Sequence, residues 1–493
     1  MLSVAKSNPA LILAIAACGS QYRFETQRGL SLFEAAQLLL LDDLRQQKYI
    51  NTPALAPAHI EHRERESESQ KITPRDRTEE LTELIQVSLL LTIFATWGSN
   101  SDILQELLAL QGVFASMLHE HGLEERTPAF QIDAESSDDN NWHRWVTQER
   151  ARRTKLVASA FHNSHCLMYN TAPLILSSDI KLNLPCPTPL WKASNAAEWR
   201  LAYDSNPSSE IPFQTAFRLL FSPAHTLPAS ISFSTPLGNH VLMHAILQQI
   251  YFARQLYVYP PVEQLLRNED LSTLEDVLHN WKLRWQQTPE SSTNPRNPAG
   301  PIAFTSTSFL GQAYIRLYLD IGPFRALKSL RPAQIAETLM SAPPIRRTPG
   351  LVMALLHAIH GLSIPVRLGV EFVARTHSLY WSVQHSLSGL EYAFLLSRWL
   401  LTLPSCGSVD ISEHEKQLFL WIKRIIEEAD LANECPMEGH TVTELTKDAA
   451  KMTQVACTII RIWARTFKGN SCWGIVDVVG SSLDIYANLL EGS

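Results

Sequence analysis

The chain has 493 residues, 45% of them hydrophobic and 18% charged, which is enough apolar material for two or three packed cores and excludes the disordered class. Its formal net charge of -7 excludes the basic balance by which a domain grips phosphates through counterion release, so direct nucleic-acid binding is not expected of it. The seven cysteines are odd in number and never spaced as C-x-x-C, which excludes a disulfide framework and a structural zinc site and points to a reducing compartment.

In chain order, Lys6 precedes the apolar run Leu11 to Cys18, with small residues after it. This imitates a secretory signal, but one basic residue and Pro9 at the head of the run fit a buried first helix better. Residues 60–80, "IEHRERESESQKITPRDRTEE", mix both signs of charge around Pro74 and read as an exposed linker. The following "LTELIQVSLLLTIFATW" is apolar nearly all round, as a core helix is. From Ser101 to His121, Ile103, Leu107, Leu110, Phe114 and Met117 recur at helical spacing, with Asn100, Ser101 and Asp102 to cap the start and Gly122 to stop it. His119 and His121, two apart, diverge near the end of that helix and read as solvated.

Residues 204–212 and 288–301 are rich in Ser, Asn and Pro, and Pro343–Pro344 marks a further break. Ser412 and Glu415 have capping-box spacing ahead of "KQLFLWIKRIIEEAD", and "AAKMTQVACTIIRIWARTFKG" runs to Gly469. These two segments carry apolar stripes, Phe419, Ile422, Ile425 and Ile426 on one and Ile459, Ile460, Trp463 and Phe467 on the other. Each stripe is either core or the contact surface for a partner. Strand-like alternation is almost absent, so the predicted fold class is all-α, a multi-helical assembly. The breaks divide the chain into an N-terminal helical segment at 1–59, the charged linker at 60–80, a core at 81–260 and a C-terminal helical block at 261–493. No apolar run approaches the roughly 20 residues of a membrane span, so no membrane association is expected.

A set of phrases then resembles the fungal-specific transcription factor domain, the middle homology region found behind fungal zinc fingers. "NPALILAIAACGSQY" resembles its opening helix, and "LLLTIFATWGSN" with "LLALQGVFASMLHEHGL" resembles the next helical pair. In "WHRWVTQERARR", Trp142, Trp145, Glu149, Arg152 and Arg153 fall on the family's W-x-x-W-x-x-x-E-x-x-R-R pattern. "YNTAPLIL" and "LPCPTPLWKASNAAEW" follow in the family's order, the second resembling its proline, cysteine and tryptophan signature. "LGNHVLMHAILQQI", "NPAGPIAFTSTSFLGQAYIRLYLDIGPFRAL" and "HGLSIPVRLGVEFVARTHSLYWSVQHSLSGLEYAFLLSRWL" look like the subgroup that carries two Cys2His2 fingers. The resemblance thus covers about Pro9 to Leu401 and makes residues 81–260 the core of that domain.

It implies a nuclear transcriptional regulator without a cofactor, associating with itself or with other transcription factors, and serving a secondary-metabolite gene cluster. This sequence shows no Cys/His spacing for the fingers, so DNA reading is expected to come from a partner chain.

On a helix Trp142, Trp145 and Glu149 share a face. The structural expectation is two core rings and a local ion pair from Glu149 to Arg152 or Arg153; the alternative is a patch that binds a partner or effector. His162, His165 and Cys166 in "HNSHC" have metal-ligand spacing but no fourth ligand nearby, so a core cluster is expected there. Enzyme motifs are missing: His414 lacks the second histidine of H-E-x-x-H, and there is no G-x-S-x-G elbow, P-loop or dinucleotide pattern. Asp138 and Asp139, placed in a polar loop with Asn140 and Asn141, find no second acidic motif of the kind an all-α magnesium enzyme needs. A different class of reading is a small-molecule receptor, with Trp281, Trp285, Trp381 and Trp399 lining a pocket between helices.

Overall fold

The computed structural model describes residues 7–51, 74–125, 130–205, 210–223, 235–255, 266–404, 411–429 and 441–492. Among them no strand forms, isolated bridges such as the parallel one between Glu124 and Lys181 aside, and the architecture is all-α. The helices group into two compact units, and neither is contiguous in sequence.

The first unit takes the described residues up to Thr96, then Ile103–Phe161 and Asp179–Glu210. It holds α1 (Pro9–Tyr22), α2 (Thr26–Asn51), most of α3 (Pro74–Trp97), α4 (Ser101–Glu120), the first three-quarters of α5 (Asp138–Tyr169), α6 (Thr188–Lys192) and α7 (Ala196–Asp204). The run Leu11 to Cys18 is part of α1, which packs along α2 through Ala10, Leu11, Ala14 and Ala17. Pro9 sits at its first position, where no N–H is needed, and the Asn8 side chain caps it by accepting from Ala10 N at 2.7 Å. The same Asn8 ties the helix start to its neighbours, its N–H donating to Glu83 and its side-chain amide to Asp43.

Residues 60–73 of the expected charged linker lie outside the described residues, while the stretch from Pro74 onward already belongs to α3. In α4, Ile103, Leu107, Phe114 and Met117 are buried, Asn100 accepts from Asp102 N, and Gly122 ends the segment at φ 74°. Asp138 to Asn141 are not a loop; they are the first turn of α5. Two aspartates there favour a helix N-terminus, and Asn141, 1% exposed, locks the preceding turn by accepting from Asp133 N and donating to Asp133 O.

The second unit takes Trp97–Asp102, His162–Ser178 and the described residues from Ile211 onward. Its helices are the end of α5, α8 (Phe213–Leu220), α9 (Pro236–Gln255), α10 (Asn268–Gln287), α11 (Ile302–Tyr318), α12 (Pro332–Met340), α13 (Leu351–Leu368), α14 (Val370–Tyr380), α15 (Val383–Thr402), α16 (Glu413–Glu428), α17 (Val442–Lys447), α18 (Ala449–Phe467) and α19 (Gly474–Glu491). Helices α11 and α15 are buried on nearly every face and form the centre. Helix α11 lies against α9, α13 and α15, and α15 against α13, α18 and α19. Close approach there depends on missing side chains. A Cβ on Gly311 or Gly361 would stand 2.1 Å or 2.6 Å from the Tyr392 ring or hydroxyl, so the two glycines make the slot that ring fills. The Tyr392 hydroxyl completes its burial by donating to Ser308 O at 2.9 Å.

The capping box at Ser412 and Glu415 is present at the start of α16. The stripes on α16 and α18 are core: Phe419, Ile422, Ile425, Ile426, Ile459, Ile460, Trp463 and Phe467 are each exposed by no more than 2%. That corrects the reading of them as a partner surface, because this chain's own helices already cover them. A second correction concerns apolar length. Thr78–Trp97 and Leu351–Leu368 are long and apolar enough on composition to cross a bilayer. Much of each is buried in the structure, and α13 packs on α11, α15 and α16.

Candidate functional site

The family-type motif lies on α5, where spacings of three and four put Trp145, Glu149 and Arg152 on the helix's buried side. Trp145 is 5% exposed and packs with Cys186, Leu190 and Trp199. Its ring centroid is 5.9 Å from that of Trp199, which in turn meets Phe130 edge-on at 6.0 Å. Trp142 is only partly buried and borders this cluster from its edge, beside His143. The two tryptophans therefore differ in what they hold.

Glu149, 1% exposed, accepts three hydrogen bonds: from Arg152 Nη1 at 2.7 Å, Arg153 Nε at 2.8 Å and the Cys186 backbone N–H at 3.0 Å. Arg152 spends its other nitrogens on Glu125 at 2.6 Å and Glu210 at 2.9 Å, so one buried guanidinium meets three carboxylates. Burial alone disfavours its charge, but Glu149, Glu125 and Glu210 outweigh that and hold it above its ordinary arginine value. Arg153 donates to Cys186 O at 3.1 Å and lies over the Trp191 ring at 4.4 Å. Burial, and after it the Glu149 charge, push the Cys186 thiol well up, so it is a packed thiol and not a nucleophile.

The pattern thus fastens the segment around Cys186 and the residues near Glu125 and Glu210 onto α5. Charges this fully paired offer nothing to a substrate. They fix backbone, since both carboxylate oxygens of Glu149 are engaged and leaving either partner alone in the interior is costly.

His162 and Cys166 are internally satisfied in the second unit: His162 Nε2 accepts from Leu174 N at 3.2 Å and lies 3.7 Å from Cys166 Sγ. His165, wholly buried, meets Tyr169 edge-on at 4.8 Å. Burial lowers its pKa to about 3. No group of three or more His, Cys, Asp or Glu side chains gathers as a metal would require among the described residues.

Two further ionic centres escaped the sequence reading. Glu391, fully buried on α15, accepts from Arg316 at 2.6 Å and Arg325 at 2.7 Å, and both arginines also reach Leu167 O. Burial pushes the Arg325 guanidinium down to about 10, against the pull of Glu391. Glu415 takes both arms of Arg347, at 2.8 Å and 2.6 Å, and the Trp399 indole N–H at 3.2 Å. A lone glutamate in "SGLEYAFLL" and a lone arginine in "GQAYIRLY" were the available signals, since a charge inside an apolar helix needs a partner.

The tryptophans proposed for a pocket divide. Trp281 and Trp399 are wholly buried packing, whereas Trp285 and Trp381 line a cavity of about 330 Å³ in the second unit, together with Trp421 and Trp463.

Comparison with known proteins bears on what these arrangements serve. Over 121 residues the chain is 25% identical to Transcription factor 1 of Elsinoe fawcettii, a match covering 24% of this chain and 12% of that protein. Over 117 residues it is 23% identical to Transcription factor PfmaH of Pestalotiopsis fici, covering 23% of this chain and 12% of the relative. Over 141 residues it is 21% identical to Zinc finger protein klf1 of Schizosaccharomyces pombe, covering 29% and 16%. The chain thus matches only a small part of each curated relative's length. No solved structure matches it. The pattern of the fungal transcription factor C-terminal domain matches residues 320–485, which include Glu391, Glu415 and the C-terminal helices. That of the fungal specific transcription factor domain matches residues 2–283, more than half of the chain, and contains the whole Trp145–Glu149–Arg152 clamp, so the chain belongs to the fungal specific transcription factor domain family.

Proposed function

We propose that this chain is the helical regulatory portion of a transcription factor, acting in the nucleus through contacts with other proteins and not by catalysis. The observation that carries the reading is that two transcription-factor domain patterns cover residues 2–283 and 320–485, nearly the whole chain. The chemistry supports it, because the conspicuous buried charges are paired with one another and serve packing. The partner is a second transcription factor chain, either a copy of this one or a relative that reads DNA. With a net charge of -7, this polypeptide brings no excess of positive charge to phosphates. By its resemblance to regulators of metabolite gene clusters, its targets are a clustered set of biosynthetic genes.

Transcript profiling of a deletion strain against its parent, under conditions where the protein is made, tests this. A coordinated change in a contiguous gene set is expected, and profiles identical within replicate scatter would refute it. For the DNA-binding part, a mobility-shift titration at about 0.15 M salt is expected to show no sequence-dependent shift. A nanomolar, sequence-dependent complex would overturn that part.

A further inference from the structure

The 330 Å³ cavity is enclosed by α10, α11, α13, α15, α16 and α18, and Gln286, Leu356 and His360 are exposed at its rim. Aromatic side chains dominate its wall: Trp285, Phe304, Trp381, Tyr392, Trp421 and Trp463. Flat rings on several sides suit a planar aromatic guest.

The wall also carries polar side chains, among them Gln286, Thr307, Ser388, His357 and His385. The Ser382 backbone N–H donates to His385 Nδ1 at 3.3 Å, so the neutral His385 ring carries its proton on Nε2. That Nε2 is buried and has no protein partner, and the same holds for the Trp463 indole N–H and for His357 Nε2. Burial drives both histidines to about 3, His357 with help from the Lys282 charge, so neither ring is cationic near neutrality. Lys282 is the one lysine among the described lining residues, and no arginine or carboxylate accompanies it. A cavity with one cation, no carboxylate and aromatic walls suits an anion attached to a flat ring.

We propose that this cavity is a ligand site for a planar aromatic carboxylic acid, its ring held between the tryptophans and its carboxylate met by Lys282. The site gives the regulatory portion a small-molecule input, since a ligand that binds only the native arrangement stabilises it.

Calorimetric titration and thermal melts of the full chain with benzoate, 2-naphthoate and 9-anthroate test the proposal. At least one acid is expected to bind and raise the melting temperature. Lys282→Met, at a half-buried position, is expected to weaken that acid by about tenfold. Leu356→Trp, at the exposed rim, is expected to remove binding by filling the entrance. The uncharged 2-naphthylmethanol is expected to bind more weakly than 2-naphthoate. Circular dichroism melts of the free variants show that each is folded; should the larger substitution unfold the chain, Lys282→Met still decides. No binding of any acid at about 1 mM, unchanged affinity in Lys282→Met, or tighter binding of the alcohol would overturn the proposal. Such a failure leaves the transcriptional reading standing, because transcript profiles do not depend on it.

Discussion

Glu149 is the residue on which the first unit's packing converges, because two arginines one turn along its own helix and the distant Cys186 backbone meet its carboxylate. Glu149→Gln keeps the shape but leaves Arg152 and Arg153 short of a counter-charge in the interior, so a loss of about 3–5 kcal/mol is expected in urea denaturation. Loss of less than about 1 kcal/mol would show the clamp to be ornamental. The two motif tryptophans should separate in the same experiment. Trp145→Ala empties a core position and should cost about 3–5 kcal/mol, while partly buried Trp142→Ala should cost clearly less. Equal losses would mean that Trp142 is anchored as deeply as Trp145. Helical spacing was enough to put Trp145 and Glu149 on one face with Trp142, which is only partly buried, and to pair Glu149 with the arginines one turn on. It had no means of finding Glu125, Cys186 and Glu210, because those partners lie 27, 37 and 58 residues from the groups they bond.

At the scale of elements, Glu415 joins a cap to a tertiary contact. It closes the capping box with Ser412 and also receives Arg347 and the Trp399 indole. Burial opposes its charge, but the bonds from Arg347, Trp399 and Ser412 outweigh that and hold the carboxyl at about 2, below its ordinary value of 4.5. A depressed carboxylate stabilises the fold above its unfolded pKa, and that stability is lost as pH falls from about 4.5 through about 2. Glu415→Gln should therefore lower stability at neutral pH, by about 2–3 kcal/mol, and flatten the acid-side decline over that interval. Denaturation midpoints of wild type and variant between pH 2 and 7 check it, and parallel curves would contradict it. The capping box itself was visible in the spacing of Ser412 and Glu415. What covered the stripes behind it was not: a period of 3.6 shows that a face is apolar and does not show whether a partner or the same chain buries it. The Asp138–Asn141 stretch misled for a related reason. Polar residues mark loops and helix N-termini alike, and only the turn locked by Asn141 distinguishes them here.

For the whole molecule, the all-α class and the family were legible because many phrases agreed in order over most of the chain. The division into two units was not, because it falls inside α5, after Phe161, and no composition change marks it. The cavity was half legible. Its tryptophans could be named, but which of them line space and which are packing depends on slots such as the one Gly311 and Gly361 leave for Tyr392. The central claim, that this helical chain regulates transcription through other proteins, is tested most directly by fusing it to an unrelated DNA-binding module and measuring a reporter that carries that module's site. A reporter output that departs from that of the module alone, by activation or repression, is expected, and it should fall toward baseline when Glu149→Gln destabilises the first unit. A folded, nuclear fusion that leaves the reporter at the level of the bare module would contradict it.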